Sequence, residues 1–169
     1  MKIVQYPHPA LRHPAKPLTS VDKELHLNVG RMFELMYDAK GVGLAATQVA
    51  LPFQLLVMNL KPDEKLPENE EVFINPVIVE RKGVVDDEEG CLSFPGLFHK
   101  VKRAKTVKVK AYNLKCEPVE VVAHDLAARA WQHEIDHLNG VLFIDHISRL
   151  KRERVVKKFA KAAKRAVTG

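Results

Sequence analysis

The chain reads DLAARAWQHEIDHL from Asp125 to Leu138, and this stretch predicts the central helix of the molecule. The pattern is helical, and the pair Asn139-Gly140 that follows is typical of a helix end. Within the stretch, His133 and His137 lie four residues apart and therefore share one face of the helix. Both imidazoles can reach one metal ion, in the pattern H-E-x-x-H.

The residue that follows His133 suits hydrolysis. Glu134 lies close enough to contact a water on such a metal without being a ligand, as a general base requires. A catalytic site of this type also needs a third protein ligand. Downstream, Phe143 stands where one metalloprotease pattern has its third histidine, and Glu153 lies in a basic segment. Cys91, which follows a glycine in a turn-rich stretch, is the better candidate.

Each of these residues also has a plainer interpretation. Two histidines on a buried helix face can be core residues with satisfied hydrogen bonds, and a free cysteine is most often a small buried hydrophobe. Cys116, which lies in a predicted turn without a companion motif, is assigned that plainer role. Glu89 and Arg103 are candidates for supporting charges beside Cys91.

The composition predicts a single globular domain over residues 1–169. Hydrophobic residues make up 46% of the chain and charged residues 28%, which excludes a disordered or fibrous protein. Two cysteines are too few for a disulfide framework. No apolar run approaches the roughly 18 residues of a membrane span, and the N-terminal segment does not resemble a signal peptide. We therefore expect no membrane partner and a cytoplasmic location.

The patterns of hydrophobic residues predict an α+β fold, in which antiparallel or mixed β-sheets pack around the central helix. An N-terminal helix is expected over residues 21–39, with Thr19 or Ser20 as its cap and Gly41 at its end. A basic C-terminal helix is expected over about 148–167. Strands are expected over residues 54–59, 71–80, 105–112 and 117–123.

Three segments together resemble the signature motifs of the peptide deformylases, in order and in spacing. They are GVGLAATQ at 41–48, EGCLS at 89–93 and QHEIDH at 132–137. The helical C-terminus resembles the bacterial class of this family whose last element is a helix. The resemblance implies a hydrolase of protein biosynthesis that removes the formyl group from the N-terminal formylmethionine of nascent polypeptides.

The resemblance also implies a metal centre. The ligands that it implies are Cys91, His133 and His137. They would hold one divalent ion, Fe²⁺ in the native form, with Zn²⁺, Ni²⁺ or Co²⁺ as substitutes. A water on the metal, with its pKa brought toward neutrality, would attack the formyl carbon.

Catalytic roles follow from the resemblance by position. Glu134 is implied as the general base and acid, which takes the proton of the attacking water and delivers it to the leaving amine. Gln48 and the backbone N–H of Leu92 are implied as donors to the oxyanion.

A substrate-binding surface is implied as well. Gly43 and the neighbouring main chain would pair with the peptide like an added strand. The slot for the methionine side chain would be lined by Val42, Leu126, Ala130 and the ring of His133, with Arg129 at its edge and Glu89 beside it. Phe98 departs from the family pattern, because many bacterial members have arginine there. This departure bears on substrate preference beyond the first residue.

The net charge of +6 arises from an excess of basic residues in the C-terminal segment. From Arg149 onward there are nine basic residues and one acidic residue, whereas the rest of the chain has 18 basic and 20 acidic residues. This helix is either a solvated face or a surface that docks on ribosomal RNA near emerging chains. We expect a monomer. Two other functions stay open, a metallopeptidase with an unusual third ligand and a basic RNA-binding protein with a structural metal.

Overall fold

The computed structural model describes residues 1–61, 63–64 and 66–168; Pro62, Lys65 and Gly169, which the expected domain 1–169 includes, lie outside the described residues. The α-helices within these ranges are α1 (Lys23–Asp38), α2 (Asp125–Leu138) and α3 (Arg149–Thr168), and short 3-10 helices lie before and between the longer elements. The strands are β1 (Gly43–Ala45), β2 (Leu55–Met58), β3 (Glu71–Lys82), β4 (Val85–Cys91), β5 (Phe94–Arg103), β6 (Thr106–Tyr112) and β7 (Pro118–His124).

Two antiparallel sheets flank α2. One has five strands in the order β1-β2-β3-β6-β7, and the other is the β4–β5 hairpin. The helix contacts strands of both sheets, and every residue from 128 to 135 is buried. A helix that is buried on all sides belongs at the centre of a domain. The predicted α+β fold around this helix is confirmed.

The core has two parts. The larger part packs α1 and α2 against the five-stranded sheet, with Met32, Leu56 and Trp131 among its buried side chains. The smaller part holds α3 against the hairpin through aromatic contacts. There the rings of Phe94 and Phe159 meet edge to face with their centroids 5.3 Å apart. The first half of α3 is therefore anchored in the core rather than only solvated.

The start and end of α1 differ from the prediction. The cap is Asp22, whose carboxylate accepts the backbone N–H of Leu25 at 2.8 Å, and neither Thr19 nor Ser20 has this role. After the helix, the residue with a left-handed backbone is Lys40, at φ 58°, rather than Gly41. A Cβ atom at Gly41 would lie 2.7 Å from Cδ1 of Leu92, so glycine here leaves room for the Leu92 side chain.

The four predicted strands are present with shifted ends, and the break expected at Asn75-Pro76 is a register shift between β3 and β6. The β4–β5 hairpin was not predicted, because its sequence VDDEEGC is so polar that it lacks the apolar pattern of a strand. One face of the hairpin packs on α2 through salt bridges instead. Among the described residues, every helix is too short or too polar to cross a bilayer.

Candidate metal centre

Three side chains converge at the centre of the molecule. Cys91 Sγ lies 3.3 Å from Nε2 of His137, and that nitrogen lies 3.2 Å from Nε2 of His133. The three ligand atoms all lie within 4.8 Å of one another. The structure thus brings together the two histidines of one helix and the cysteine that the sequence singled out.

Two elements position these ligands. His133 and His137 occupy successive turns of α2, so their rings project from the same face. Cys91 ends β4, at a register shift between Gly90 and Cys91 in the pairing with β5. A bulge of this kind re-aims a side chain, and here it aligns the thiol with the two imidazoles.

Glu89 sets the orientation of His133. Nδ1 of His133 lies 2.7 Å from Oε2 of Glu89, and because a carboxylate only accepts, the ring donates its Nδ1 proton. Nε2 then faces the centre, and in the neutral ring it would carry the lone pair that a metal needs, as in the carboxylate–histidine–metal arrangement of metalloenzymes. Burial alone would raise the pKa of Glu89, but hydrogen bonds from His133 and Arg103 outweigh burial and hold this pKa well below its ordinary range.

Two arginines neutralise the Glu89 carboxylate. Arg103 donates to both of its oxygens, at 3.0 and 2.7 Å, and Arg129 donates to Oε1 at 3.0 Å. Arg129 also donates to the carbonyls of Val85 and Val101, one on each strand of the hairpin. Glu89 and Arg129 border the cavity described below, but their polar groups bond within the protein. These bonds give both residues the geometry of supporting charges at the cavity wall.

The donor set fits one divalent transition metal. Two nitrogens at about 2.0–2.1 Å from a tetrahedral ion lie roughly 3.4 Å apart, close to the 3.2 Å seen between the imidazoles. Burial holds the pKa of His137 well below its usual value, so this ring is neutral, which is the form that binds a metal. A thiolate with two imidazoles suits iron or zinc better than calcium or magnesium.

Glu134 lies beside this triangle and packs closely against Gly43, where a side chain would crowd it. A Cβ atom at Gly43 would lie 3.0 Å from Cγ and 3.1 Å from Oε1 of Glu134. Among the described residues, the buried Oε2 of Glu134 has no hydrogen-bond partner. Burial raises the pKa of Glu134 to about 7. A carboxyl group with such a pKa can both take and give a proton near neutral pH.

Gln48 is held so that its amide N–H groups face the centre. Its Oε1 accepts the backbone N–H of Ala45 at 3.0 Å, which leaves Nε2 3.3 Å from Oγ of Ser93 and 3.9 Å from Sγ of Cys91. The side chain is buried, so this orientation is fixed by its neighbours. The contacts of Ala45 and Ser93 with Gln48 were not predicted from the sequence, although both residues lie inside the two motifs at 41–48 and 89–93.

A cavity of about 720 Å³ opens next to the ligands. His133, Glu134 and Cys91 form part of its wall. The residues expected to contact a substrate also line it, namely Val42, Gly43, Leu92, Leu126 and Ala130. Leu126 is 68% exposed and therefore lies at the mouth rather than in the interior. A largely apolar cavity with a few directed polar groups is typical of a small-ligand or peptide site.

Comparisons with known proteins agree on one family. Residues 1–153 match the family model described as polypeptide deformylase. A peptide deformylase of Acidobacterium capsulatum is 49% identical over 163 residues, which covers 94% of this chain and 93% of that protein. The crystal structure of a peptide deformylase from Plasmodium falciparum is 38% identical with a TM-score of 0.91, over 99% of this chain and 98% of that one. One from Legionella pneumophila is 42% identical with a TM-score of 0.87, over 97% of each chain.

Proposed function

The chain belongs to the polypeptide deformylase family and is a hydrolase that acts on formylmethionyl peptides, and we propose that it does so with one divalent metal ion held by Cys91, His133 and His137. The observation that carries this proposal is the triangle of ligand atoms within 4.8 Å of one another beside the buried Glu134. We propose Fe²⁺ as the native ion, with Zn²⁺, Ni²⁺ or Co²⁺ as substitutes. A cation with these ligands supplies Lewis acidity, which makes water a nucleophile at neutral pH.

Glu134 carries the proton through the reaction. It takes a proton from the water that attacks the formyl carbon, so that a carbon–oxygen bond forms. It then gives the proton to the amine nitrogen as the carbon–nitrogen bond breaks, and formate and a free N-terminus result. The pKa of about 7 produced by burial supports both steps.

Gln48 and the backbone N–H of Leu92 stabilise the negative oxygen that develops on the formyl group. The bond from Ala45 fixes the Gln48 amide before the substrate arrives, so no reorganisation is needed during the reaction. Removal of one such donor typically lowers kcat about 10²–10³-fold.

The substrate binds along β1 with its first side chain in the cavity. β1 is the first strand in the sheet order, so its outer edge is available to an extended peptide. Gly43 of β1 lines the cavity, and Val42, Leu126 and Ala130 offer apolar contacts to the methionine side chain. Glu89 and Arg129 act indirectly, because they fix His133 and the hairpin.

The cellular setting follows from substrate and charge. We propose that the chain works as a monomeric domain in the cytoplasm on nascent polypeptides, and that the exposed lysines of α3 dock on ribosomal RNA. Lys157, Lys161 and Lys164 are all exposed, which supports an attraction to phosphate.

The experiment is a substrate comparison with the metal quantified in every sample. We expect formate release from formyl-Met-Ala and no cleavage of internal peptide bonds. Glu134→Ala is expected to keep the metal and to lose turnover by about 10²–10⁴-fold, whereas Glu34→Gln on the exposed face of α1 is the matched control. Wild-type turnover in the Glu134 variant would contradict the mechanism, and cleavage of internal bonds would favour a metallopeptidase.

A further inference from the structure

Phe98 is an aromatic residue exposed at the mouth of the metal-site cavity. It is 61% exposed and lines the cavity, as does Leu126. Among the large apolar side chains that are exposed in the described part of the chain, these two are the ones that border this cavity. An exposed apolar group beside a binding cavity marks a surface that a ligand covers.

The ring of Phe98 lies over its cross-strand partner, Gly90. Phe98 in β5 pairs with Gly90 in β4, and a Cβ atom at residue 90 would lie 2.6 Å from Cε1 of the ring. Only glycine at residue 90 leaves room for this packing. Gly90 directly precedes Cys91, so the ring stands close to the proposed metal centre.

The alternation of side chains along β5 places Phe98 on the outer face of the hairpin. Val101 and Arg103 point inward and are buried, whereas Phe98 and Lys100 point outward and are exposed. Side chains of an extended peptide alternate in the same way. When the methionine side chain points inward to the apolar slot, the side chain of the second residue points outward, to the face of the hairpin that carries Phe98.

From this arrangement we propose that Phe98 selects apolar and aromatic side chains at the second residue of the formylmethionyl peptide. The inference rests on the proposed function, because it needs this class of peptide in the cavity. Phe98 determines specificity by contact with the substrate side chain and takes no part in bond breaking. Packing of one ring against another amounts to about a fivefold preference in kcat/KM.

The test compares formyl-Met-Phe-Ser with formyl-Met-Ser-Ser by formate release. We expect the wild type to prefer the peptide with phenylalanine about fivefold in kcat/KM. Phe98→Ala should bring that ratio close to one, and Phe98→Leu should retain part of it. Tyr112→Ala is the matched control, because Tyr112 is an aromatic residue of β6 that is 47% exposed and lies outside the cavity. This control should keep the wild-type ratio.

Two results would overturn the inference. One is a ratio that is the same in Phe98→Ala as in the wild type. The other is a Phe98→Ala variant that keeps the preference for formyl-Met-Phe-Ser over formyl-Met-Ser-Ser but loses a wild-type preference for formyl-Met-Ser-Phe over formyl-Met-Ser-Ser. Phe98 would then contact the third residue and not the second. The proposed function is tested separately in the same assay, since a wild-type enzyme that released no formate from any of these peptides would contradict deformylation itself.

Discussion

Nδ1 of His133 lies 2.7 Å from Oε2 of Glu89, a residue 44 positions earlier in the chain. This contact joins the β4–β5 hairpin, which carries Cys91, to α2, which carries both histidines. It also fixes the tautomer of His133, so that Nε2 presents its lone pair to the centre. One carboxylate therefore links the two halves of the candidate site and orients one of its imidazoles.

Replacement of Glu89 by glutamine is expected to weaken metal binding. Because the amide cannot accept the His133 proton as strongly as a carboxylate does, the affinity for Zn²⁺ should fall about 10–100-fold. Competition with a chelator measures this change. Asp136→Asn is the matched control, since Asp136 bonds the same Arg103 but not His133. Equal affinity in the wild type and in Glu89→Gln would contradict this role.

A second prediction concerns pH and stability away from the metal. Burial raises the pKa of Asp145, but hydrogen bonds from Arg12 at 2.6 and 3.0 Å and from the Leu142 N–H outweigh it and lower this pKa. A lowered folded-state pKa adds stability at pH values above the unfolded pKa of about 3.9, and this stability is lost as the pH falls through the folded-state value.

Asp145→Asn should therefore reduce the free energy of unfolding by about 1 kcal/mol or less at pH 7, because the ion pair is partly exposed. The difference from the wild type should shrink as the pH falls below about 4. Urea denaturation at pH 7, 5 and 3 measures it, with Glu34→Gln as the control for an exposed pair on α1. If the difference in unfolding free energy between the wild type and Asp145→Asn grew toward pH 3, the lowered pKa of Asp145 would be contradicted.

Docking of α3 on ribosomal RNA is best tested without truncation. Val155 and Phe159 are buried in the smaller core, so deletion of the helix would also remove core packing. The triple variant Lys157→Gln, Lys161→Gln, Lys164→Gln removes charge only. It should lower ribosome affinity and reduce the slope of log affinity against log salt by about 2–3.

The matched control for α3 removes three exposed lysines elsewhere, at Lys2, Lys23 and Lys115. Turnover of a short formylmethionyl peptide should be the same in both triple variants and the wild type. Ribosome binding that is equally affected by both triple variants would contradict a specific role for α3.

The sequence allowed the helix, the convergence of Cys91, His133 and His137, and the family to be predicted, because these depend on short-range spacing and on sequence motifs. The i and i+4 positions of His133 and His137 determine their common face without knowledge of the rest of the fold. The β4–β5 hairpin could not be predicted in the same way. Its strands are stabilised by Arg103 and Arg129, which are distant in the chain, and not by an alternating apolar pattern.

Side-chain roles that depend on packing were also beyond prediction. Gly41 was interpreted as a helix end, but its backbone conformation is ordinary and its small size serves the contact with Leu92. Arg129 was expected at the edge of the substrate slot and does line the cavity, but the sequence did not show that its guanidinium bonds Glu89 and two carbonyls of the hairpin. Both cases need the three-dimensional neighbours, which a single sequence does not contain.

The most direct test of the central claim is X-ray absorption spectroscopy of the metal in the anaerobically purified protein. The ligand triangle predicts one sulfur at about 2.3 Å and two nitrogens at about 2.0–2.1 Å for a zinc-loaded sample, with an oxygen ligand completing the shell. Cys91→Ala should remove the sulfur signal. Cys116→Ala should not, because Cys116 is exposed, and its predicted role as a small buried hydrophobe was wrong. A spectrum without sulfur in the wild type, or a sulfur signal that persists in Cys91→Ala, would contradict the account.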